Sequence, residues 1–247
     1  MPDLAMPRRP AVLALFASLA ALFSCAGTDG VSGPGMQADQ TAKPFRARGN
    51  EPGWLLDIDR GEMTLISLYG AKRLVAPTPA PQRTAAFTRY VAKADDTDFT
   101  VTVFERLCRD TMSGMPHPNA VEVLLDGSKL TGCGGDPASL LHGREWVVED
   151  INGAGLVDGS RATLSFGDNG RVSGRASCNA YTGQYSLSGE GLTISNTAGT
   201  MMACAPPLMR QEGLFLGVLR DVRRFDFRPD GALLLQTDDR RTITARP

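Results

Sequence analysis

The sequence predicts a mostly β protein of two small antiparallel β domains, barrel-like or sandwich-like, the second carrying one packed α-helix. Short apolar or alternating runs recur along the chain, and 27 glycines and 16 prolines interrupt them, as is typical of strands joined by turns. Asp158-Gly159 and Asn169-Gly170 are hairpin dipeptides, because both favour a positive φ. A helical period is convincing at one place only in the C-terminal half, after Pro206-Pro207.

The composition is that of a globular protein. Of the 247 residues, 42% are apolar and 21% are charged, and the net charge is -1. A disordered chain would have fewer apolar residues, and a nucleic-acid-binding domain is expected to carry a basic stripe. No nucleic-acid partner is therefore expected.

The amino terminus has the features of an export signal. Arg8-Arg9 precede residues 11–24, a run without charge that is shorter than the roughly 20 residues of a membrane-spanning helix. Residues 1–24 are therefore predicted to be a signal peptide.

The run ends in Leu22-Phe23-Ser24-Cys25-Ala26, which resembles the lipobox of bacterial lipoproteins. The resemblance implies that Cys25 is lipidated and holds the protein on a membrane. Alanine at position 26 implies sorting to the outer membrane, facing the periplasm. Residues 25–43 are then the lipidated cysteine and a flexible tether of small and polar residues. An ordinary secretory peptide or an uncleaved anchor is the alternative.

The first domain is predicted over residues 44–135. Its candidate strands are 54–58, 62–68, 84–91, 99–106 and 119–125. Asp95, Asp96 and Asp98 fall between two runs, where a solvated turn is expected. Calcium binding by these carboxylates is the alternative.

The second domain is predicted over residues 143–247, after a short connection that leads us to expect independent folding. Its helix is expected at 207–222, because the apolar residues at 208, 215, 218, 219 and 222 share one helical face. Its candidate strands are 145–149, 162–166, 170–176, 181–187, 192–195, 224–228, 232–236 and 241–245.

Four cysteines remain besides Cys25. An exported chain favours disulfides, and four cysteines allow three pairings. One bridge in each domain is the economical solution, Cys108–Cys133 and Cys178–Cys204. A zinc site would need His117 or His142, and no CxxC or HxxxH spacing is present. No metal is expected.

No catalytic set is recognisable. The two histidines, His117 and His142, are expected in solvated loops, and no nucleophile elbow, phosphate loop or dinucleotide-binding pattern occurs. Glu212 is expected to bond to backbone N–H groups, and Asn179 is expected to cap a turn. We therefore expect no catalytic residue and no cofactor.

The C-terminal half contains a series of residue types in a fixed order, namely Trp146, 163–166, 172–174, Cys178-Asn179, Tyr181, 183–185, 200–204, Met209, Glu212 and 216–219. This series, over residues 143–247, resembles the META domain family, the HslJ-like proteins of bacterial envelopes. The resemblance implies a small antiparallel β domain with one helix, a link to heat shock, and no established catalytic activity.

The N-terminal half contains two distinctive stretches, 49–54 (GNEPGW) and 108–114 (CRDTMSG), and a glycine-rich end at 132–135 (GCGG). Together they resemble an uncharacterised lipoprotein domain that often precedes META domains. A more distant likeness is to the β-barrel lipoproteins that inhibit lysozyme. Neither resemblance implies a ligand for particular residues.

The function expected from the sequence is that of a non-enzymatic cell-envelope lipoprotein that binds or supports another envelope component. The HslJ-like resemblance suggests that this role is linked to stress. The alternatives are an inhibitor of a secreted lytic enzyme such as lysozyme, or a hydrolase. The missing nucleophile–base set argues against the hydrolase.

Overall fold

Two antiparallel sheets follow one another along the chain. The computed structural model describes residues 43–247, so the predicted signal peptide and Cys25 lie outside the described residues. No helix in this described part is long and apolar enough to span a bilayer.

The N-terminal sheet has nine strands in the order β4-β3-β2-β1-β11-β10-β7-β6-β5. A separate two-stranded hairpin, β8 with β9, is inserted between β7 and β10. The strands are β1 Phe45–Asn50, β2 Gly53–Ile58, β3 Glu62–Ser67, β4 Lys72–Pro77, β5 Gln82–Arg83, β6 Phe87–Ala94, β7 Thr97–Phe104, β8 Cys108–Arg109, β9 Pro116–His117, β10 Asn119–Leu125 and β11 Ser128–Gly134.

The core of the N-terminal sheet lies on the inner face of the curved sheet. The alternation of its strands places every second side chain inside, and Trp54, Met63, Leu65 and Phe99 are almost fully buried there. β4 contacts β6 without pairing to it, so the sheet curls toward a barrel that stays open along this seam.

The C-terminal sheet has eight strands in the order β16-β15-β14-β13-β12-β19-β18-β17. A short 3-10 turn, Pro137–Leu140, leads into it. The strands are β12 Glu145–Ile151, β13 Thr163–Phe166, β14 Arg171–Arg175, β15 Ala180–Ser188, β16 Gly191–Gly199, β17 Val222–Phe227, β18 Leu233–Thr237 and β19 Thr242–Arg246.

The helix α1, Pro206–Asp221, lies between β16 and β17 in the chain. Two prolines open it, where their missing N–H groups cost nothing. Its buried side chains include Phe215, Val218 and Leu219, which pack into the same cluster as Trp146 and Leu164 of the sheet. The predicted fold class, mostly β with one packed helix in the second domain, is confirmed.

The hairpin formed by residues 108–117, which we call the bridging hairpin, extends from the N-terminal sheet to the C-terminal one. Arg109 Nε lies 2.9 Å from Asp226 Oδ1, and its Nη2 donates to the carbonyl of Phe227 at 2.8 Å. Met115 packs within the hydrophobic cluster of the C-terminal sheet. The two sheets are thus held together by polar and apolar contacts.

Besides the two-residue strands β5, β8 and β9, the sequence analysis missed three longer strands, β1, β4 and β11. Each buries few large side chains: β1 buries Ala47, and β4 buries Leu74 and Ala76. Several outward positions carry charged residues, such as Arg46, Arg48 and Lys129, so the apolar signal is weak. Their pairing with neighbouring strands makes them β.

Candidate functional site

Two disulfides bond Cys108 to Cys133 and Cys178 to Cys204, with Cα–Cα distances of 5.5 and 6.1 Å. This is the one-per-domain pairing favoured in the sequence analysis. The first fastens the bridging hairpin to β11. The second joins Cys178, in the bend after β14, to Cys204, just before α1.

The two N-terminal stretches singled out by resemblance meet in space. Asn50, from GNEPGW, donates its side-chain N–H groups to Asp110 Oδ2 at 3.2 Å and to Thr111 Oγ1 at 2.8 Å, both from CRDTMSG. The stretches are separated by about sixty residues. Their contact forms one side of a groove.

Asp110 organises this contact. Its Oδ1 accepts hydrogen bonds from the backbone N–H of Met112 and from the backbone N–H and hydroxyl of Ser113. Burial by itself raises the pKa of Asp110, but the hydrogen bonds from Ser113, Asn50 and Met112 outweigh burial and lower the pKa to about 2. Asp110 is therefore an anchored carboxylate at physiological pH.

The packing of the Trp54 indole requires glycine at two positions that lie against its ring, 49 and 132. A Cβ added at Gly49 would lie 2.1 Å from the indole nitrogen, and one at Gly132 would lie 2.7 Å from the ring. The indole N–H donates to the carbonyl of Thr131 at 3.2 Å. The glycines therefore let the buried indole pack tightly beneath the groove.

The groove, which we call the N-terminal groove, has a volume of about 870 Å³. Its lining includes three arginines, of which Arg109 is engaged by Asp226 and Arg48 lies 3.8 Å from Asp110. The third, Arg106, lies over the ring of Phe104 and has no acidic partner among the described residues. Guanidinium groups of this kind bind carboxylates and phosphates.

One rim of the groove is apolar. Tyr69, which is 79% exposed, and Met112, which is 82% exposed, both line it. Tyr69 lies in a left-handed backbone conformation with φ of 56°, which costs a side-chain-bearing residue conformational energy. The turn thus presents a large aromatic ring beside cationic and amide groups.

A second polar cluster lies on the C-terminal sheet around Asn179. Glu212 accepts from the backbone N–H of Asn179 at 2.7 Å and from its side-chain amide at 3.0 Å. The amide oxygen of Asn179 accepts from the N–H of Met202 at 2.7 Å. The cluster ties the bend at 177–179, the segment before α1 and the second turn of α1 together, so its role is structural.

The expectation that both histidines are solvated loop residues is wrong. His117 is 7% exposed, and its Nδ1 lies 3.1 Å from the carbonyl of Gly135, which makes Nδ1 the protonated nitrogen. His142 is half-buried and hydrogen-bonds to the hydroxyl of Tyr185. Both are held by tertiary contacts that the neighbouring sequence does not indicate.

Asp95 and Asp96 form the turn between β6 and β7, as the sequence indicated, and Asp95 has φ of 50°. Within residues 43–247, no three His, Cys, Asp or Glu side chains are grouped to hold a metal ion. The sequence analysis did not single out Arg48, Tyr69 and Arg106 as binding residues of the N-terminal groove. Only the nearby motifs indicated this region.

Part of this chain is similar to known proteins. Two solved structures, both determined by NMR, each cover 44% of this chain with a TM-score of 0.37. A protein from Burkholderia xenovorans is 28% identical over 83% of its own length, and a second protein is 27% identical over 92% of its length. No curated protein matches. The model of the META domain family matches residues 139–247, which contain the whole C-terminal sheet and α1.

Proposed function

We propose that this chain is a non-enzymatic cell-envelope lipoprotein that binds an envelope component in the N-terminal groove. The observation that carries the proposal is the meeting of GNEPGW and CRDTMSG around Asp110 at a groove of about 870 Å³. A volume of this size accommodates a small molecule or a short segment of a polymer.

The groove offers binding groups of several kinds. Arg106 provides a cation with no acidic partner within residues 43–247, Glu51 is an exposed carboxylate, and Tyr69 provides an exposed ring. A ligand that carries an anionic group next to a flat apolar or sugar-like surface would satisfy both the guanidinium and the ring. The bridging hairpin, held by its disulfide and by the hydrogen bonds of Asp110, keeps one wall of the groove in place, which lowers the entropic cost of binding.

Because its pKa is low, Asp110 stays a carboxylate at neutral pH, which favours a role in binding over a role in proton transfer. A general acid or base works best with a pKa near the working pH, whereas this carboxyl has a pKa of about 2. The imidazoles are not placed to assist either, because His117 is buried against Gly135 and His142 bonds to Tyr185 on the other sheet. These features support a binding module.

Photo-crosslinking in intact cells tests this proposal. A photoreactive amino acid at position 112, on the exposed rim, is expected to give a discrete adduct with an envelope component. Arg48→Gln with Arg106→Gln should abolish the adduct. The control Arg83→Gln with Lys93→Gln removes two exposed cations that do not line the groove and should preserve it. No adduct, or one unaffected by the groove substitutions, would contradict binding in the groove. Turnover of the captured component, lost with one groove substitution, would contradict the non-enzymatic assignment.

The lipid anchor has its own test. Cys25→Ser is expected to abolish incorporation of labelled fatty acid and to release the protein from the membrane fraction, or to leave it held only by an uncleaved leader. Wild-type protein should carry the label in the outer-membrane fraction. An unlabelled wild type, or label retained after the substitution, would contradict lipidation at Cys25.

A further inference from the structure

The outward side of α1 is not covered by any other part of residues 43–247. Met209 and Leu214 are about half exposed on it. Gly213 and Gly217 lie on the same side, and a Cβ added at either would meet no atom within 4 Å. We call this surface, with Arg210 and Arg220, the outer helix face.

Two more apolar side chains adjoin the outer helix face. Met201 is 98% exposed and Met202 is 55% exposed, immediately before the helix. Their position is fixed, because Asn179 binds both the backbone of Met202 and the carboxylate of Glu212 on α1. Four large apolar side chains therefore share one region. Exposed apolar residues without a binding role are usually scattered singly, whereas a group of them marks an interaction surface.

The charge around these apolar groups is positive. Arg210 and Arg220 are exposed and have no ion-pair partner within residues 43–247. The acids of α1 are engaged elsewhere, Glu212 by Asn179 and Asp221 by Arg241. An acidic residue, Asp158, also lies near α1. Its neighbour Val157 donates its backbone N–H to the side chain of Gln211 on α1.

Further cations follow the helix. Arg223 and Arg224 are both exposed at the start of β17, where the pairing register shifts. Asp226 on the same strand is engaged by Arg109. The region thus combines exposed apolar side chains with several guanidinium groups that have no ion-pair partner within residues 43–247, although Arg223 donates to the carbonyl of Val222. That combination is typical of surfaces that lie in the headgroup region of an anionic bilayer.

We infer that the outer helix face, with Met201 and Met202, docks on the surface of an anionic phospholipid bilayer. The two arginines bind lipid phosphates, and the methionines and Leu214 enter the boundary between headgroups and acyl chains. The charge complementarity between the exposed guanidinium groups of Arg210 and Arg220 and the anionic headgroups favours this occupant.

Chain length permits this arrangement. Cys25 precedes the described residues by a segment that spans at most about 60 Å at ~3.5 Å per residue, and a body of this size has a radius of gyration of about 17 Å. Every face is therefore within reach of the membrane. A single acyl chain gives only marginal membrane binding, and a second, electrostatic contact stabilises it. The inference uses the proposed anchor only for this proximity.

Vesicle flotation tests the docking without any acyl chain. Residues 25–247 carrying Cys25→Ser, with both disulfides formed, are expected to float with vesicles of phosphatidylethanolamine and phosphatidylglycerol. They should remain behind with vesicles of phosphatidylcholine alone, and high salt should weaken the association. Because the acyl group is absent, the result is independent of whether Cys25 is lipidated and of what binds in the N-terminal groove.

Matched variants identify the surface. Arg210→Gln with Arg220→Gln should lower the partition coefficient by about fivefold for each cation removed, and Met209→Ser with Leu214→Ser should also lower it. Arg83→Gln with Lys93→Gln, two exposed cations on the other sheet, should leave it unchanged. Circular dichroism checks that each variant is folded.

Four outcomes would overturn the inference. The protein does not float with anionic vesicles, it floats equally with neutral ones, or the control pair weakens binding as much as the helix pair does. A dimer in light scattering that the helix substitutions dissociate would also overturn it, because the face would then bind a second copy of this chain.

Discussion

The N-terminal and C-terminal sheets share one topology but close it differently. In each sheet the first and last strands in sequence pair with each other, β1 with β11 and β12 with β19. Each sheet is therefore a circular meander with one open seam. The C-terminal sheet inserts α1 at its seam, and β16 contacts β17 across it, whereas a short connection joins the seam strands of the N-terminal sheet.

The second difference lies in what each sheet leaves at its surface. The C-terminal sheet uses α1 for its core and exposes the apolar and cationic back of that helix. The N-terminal sheet instead inserts the bridging hairpin between β7 and β10, and this insertion forms a polar groove. The same meander thus supports two kinds of surface, because the inserted segment determines which groups face solvent.

The largest expected effect concerns the helix as a core element. Phe215 is fully buried, with its ring 5.5 Å from that of Tyr181, so Phe215→Ala should lower the free energy of unfolding by about 3–5 kcal/mol. The neighbouring control Leu214→Ala, on the exposed face, should change it by less than about 0.5 kcal/mol. Urea unfolding measures both. Equal effects would mean that α1 does not close the C-terminal core.

The two disulfides allow the two sheets to be compared directly, because the loops that they close are nearly equal in length, with sequence separations of 25 and 26. Loop entropy predicts that each contributes about 3.5 kcal/mol. Cys178→Ala with Cys204→Ala should therefore destabilise the protein but preserve ligand capture in the N-terminal groove. Cys108→Ala with Cys133→Ala should destabilise it similarly and also weaken capture, since it frees the bridging hairpin.

Denaturant unfolding and mass spectrometry of non-reduced peptides measure these effects. Free thiols at all four positions, or a peptide linking Cys108 to Cys178, would contradict the pairing. Equal capture by both double variants would show that the first bridge does not position the groove.

The boundary between the two sheets gives the third prediction. Leu141 is fully buried in the C-terminal cluster, and its carbonyl accepts from the indole N–H of Trp146 at 2.9 Å. A fragment of residues 143–247 is expected to fold cooperatively, but to be less stable than one of residues 137–247 by about 3 kcal/mol, the cost of losing a buried leucine. Thermal unfolding of both compares them. Equal midpoints would contradict this role of Leu141.

The smallest expected effect concerns Asp110 and pH. Its pKa falls from 3.8 to about 2 on folding, so its carboxylate adds about 2 kcal/mol of stability. Because the folded pKa is the lower one, this contribution is present above about pH 3.8 and is lost as the pH falls toward 2. Asp110→Asn should therefore destabilise the protein near neutral pH. The difference from wild type should nearly vanish close to pH 2. A difference that is independent of pH would contradict the charged hydrogen-bond network.

Local sequence patterns were sufficient for much of the C-terminal sheet. The helix was expected at 207–222 and is observed at Pro206–Asp221, because two prolines and a 3.6-residue apolar period specify its start and its buried face. The hairpin turns likewise depend on residues adjacent in sequence. The burial of Trp54 and Trp146 follows from their apolar residue type, and one bridge in each domain was the economical choice among three pairings.

The fold class, the helix after Pro206-Pro207 and the resemblance to the META domain could all be inferred from local sequence. Tertiary structure alone decided the burial of His117, the insertion of Met115 into the other sheet's core, and the contact of Asn50 with Asp110. The physical reason is range. Turn and helix preferences act over a few residues, whereas a groove or a buried polar group depends on which distant strands pair, and that pairing lowers the free energy only when the whole sheet forms.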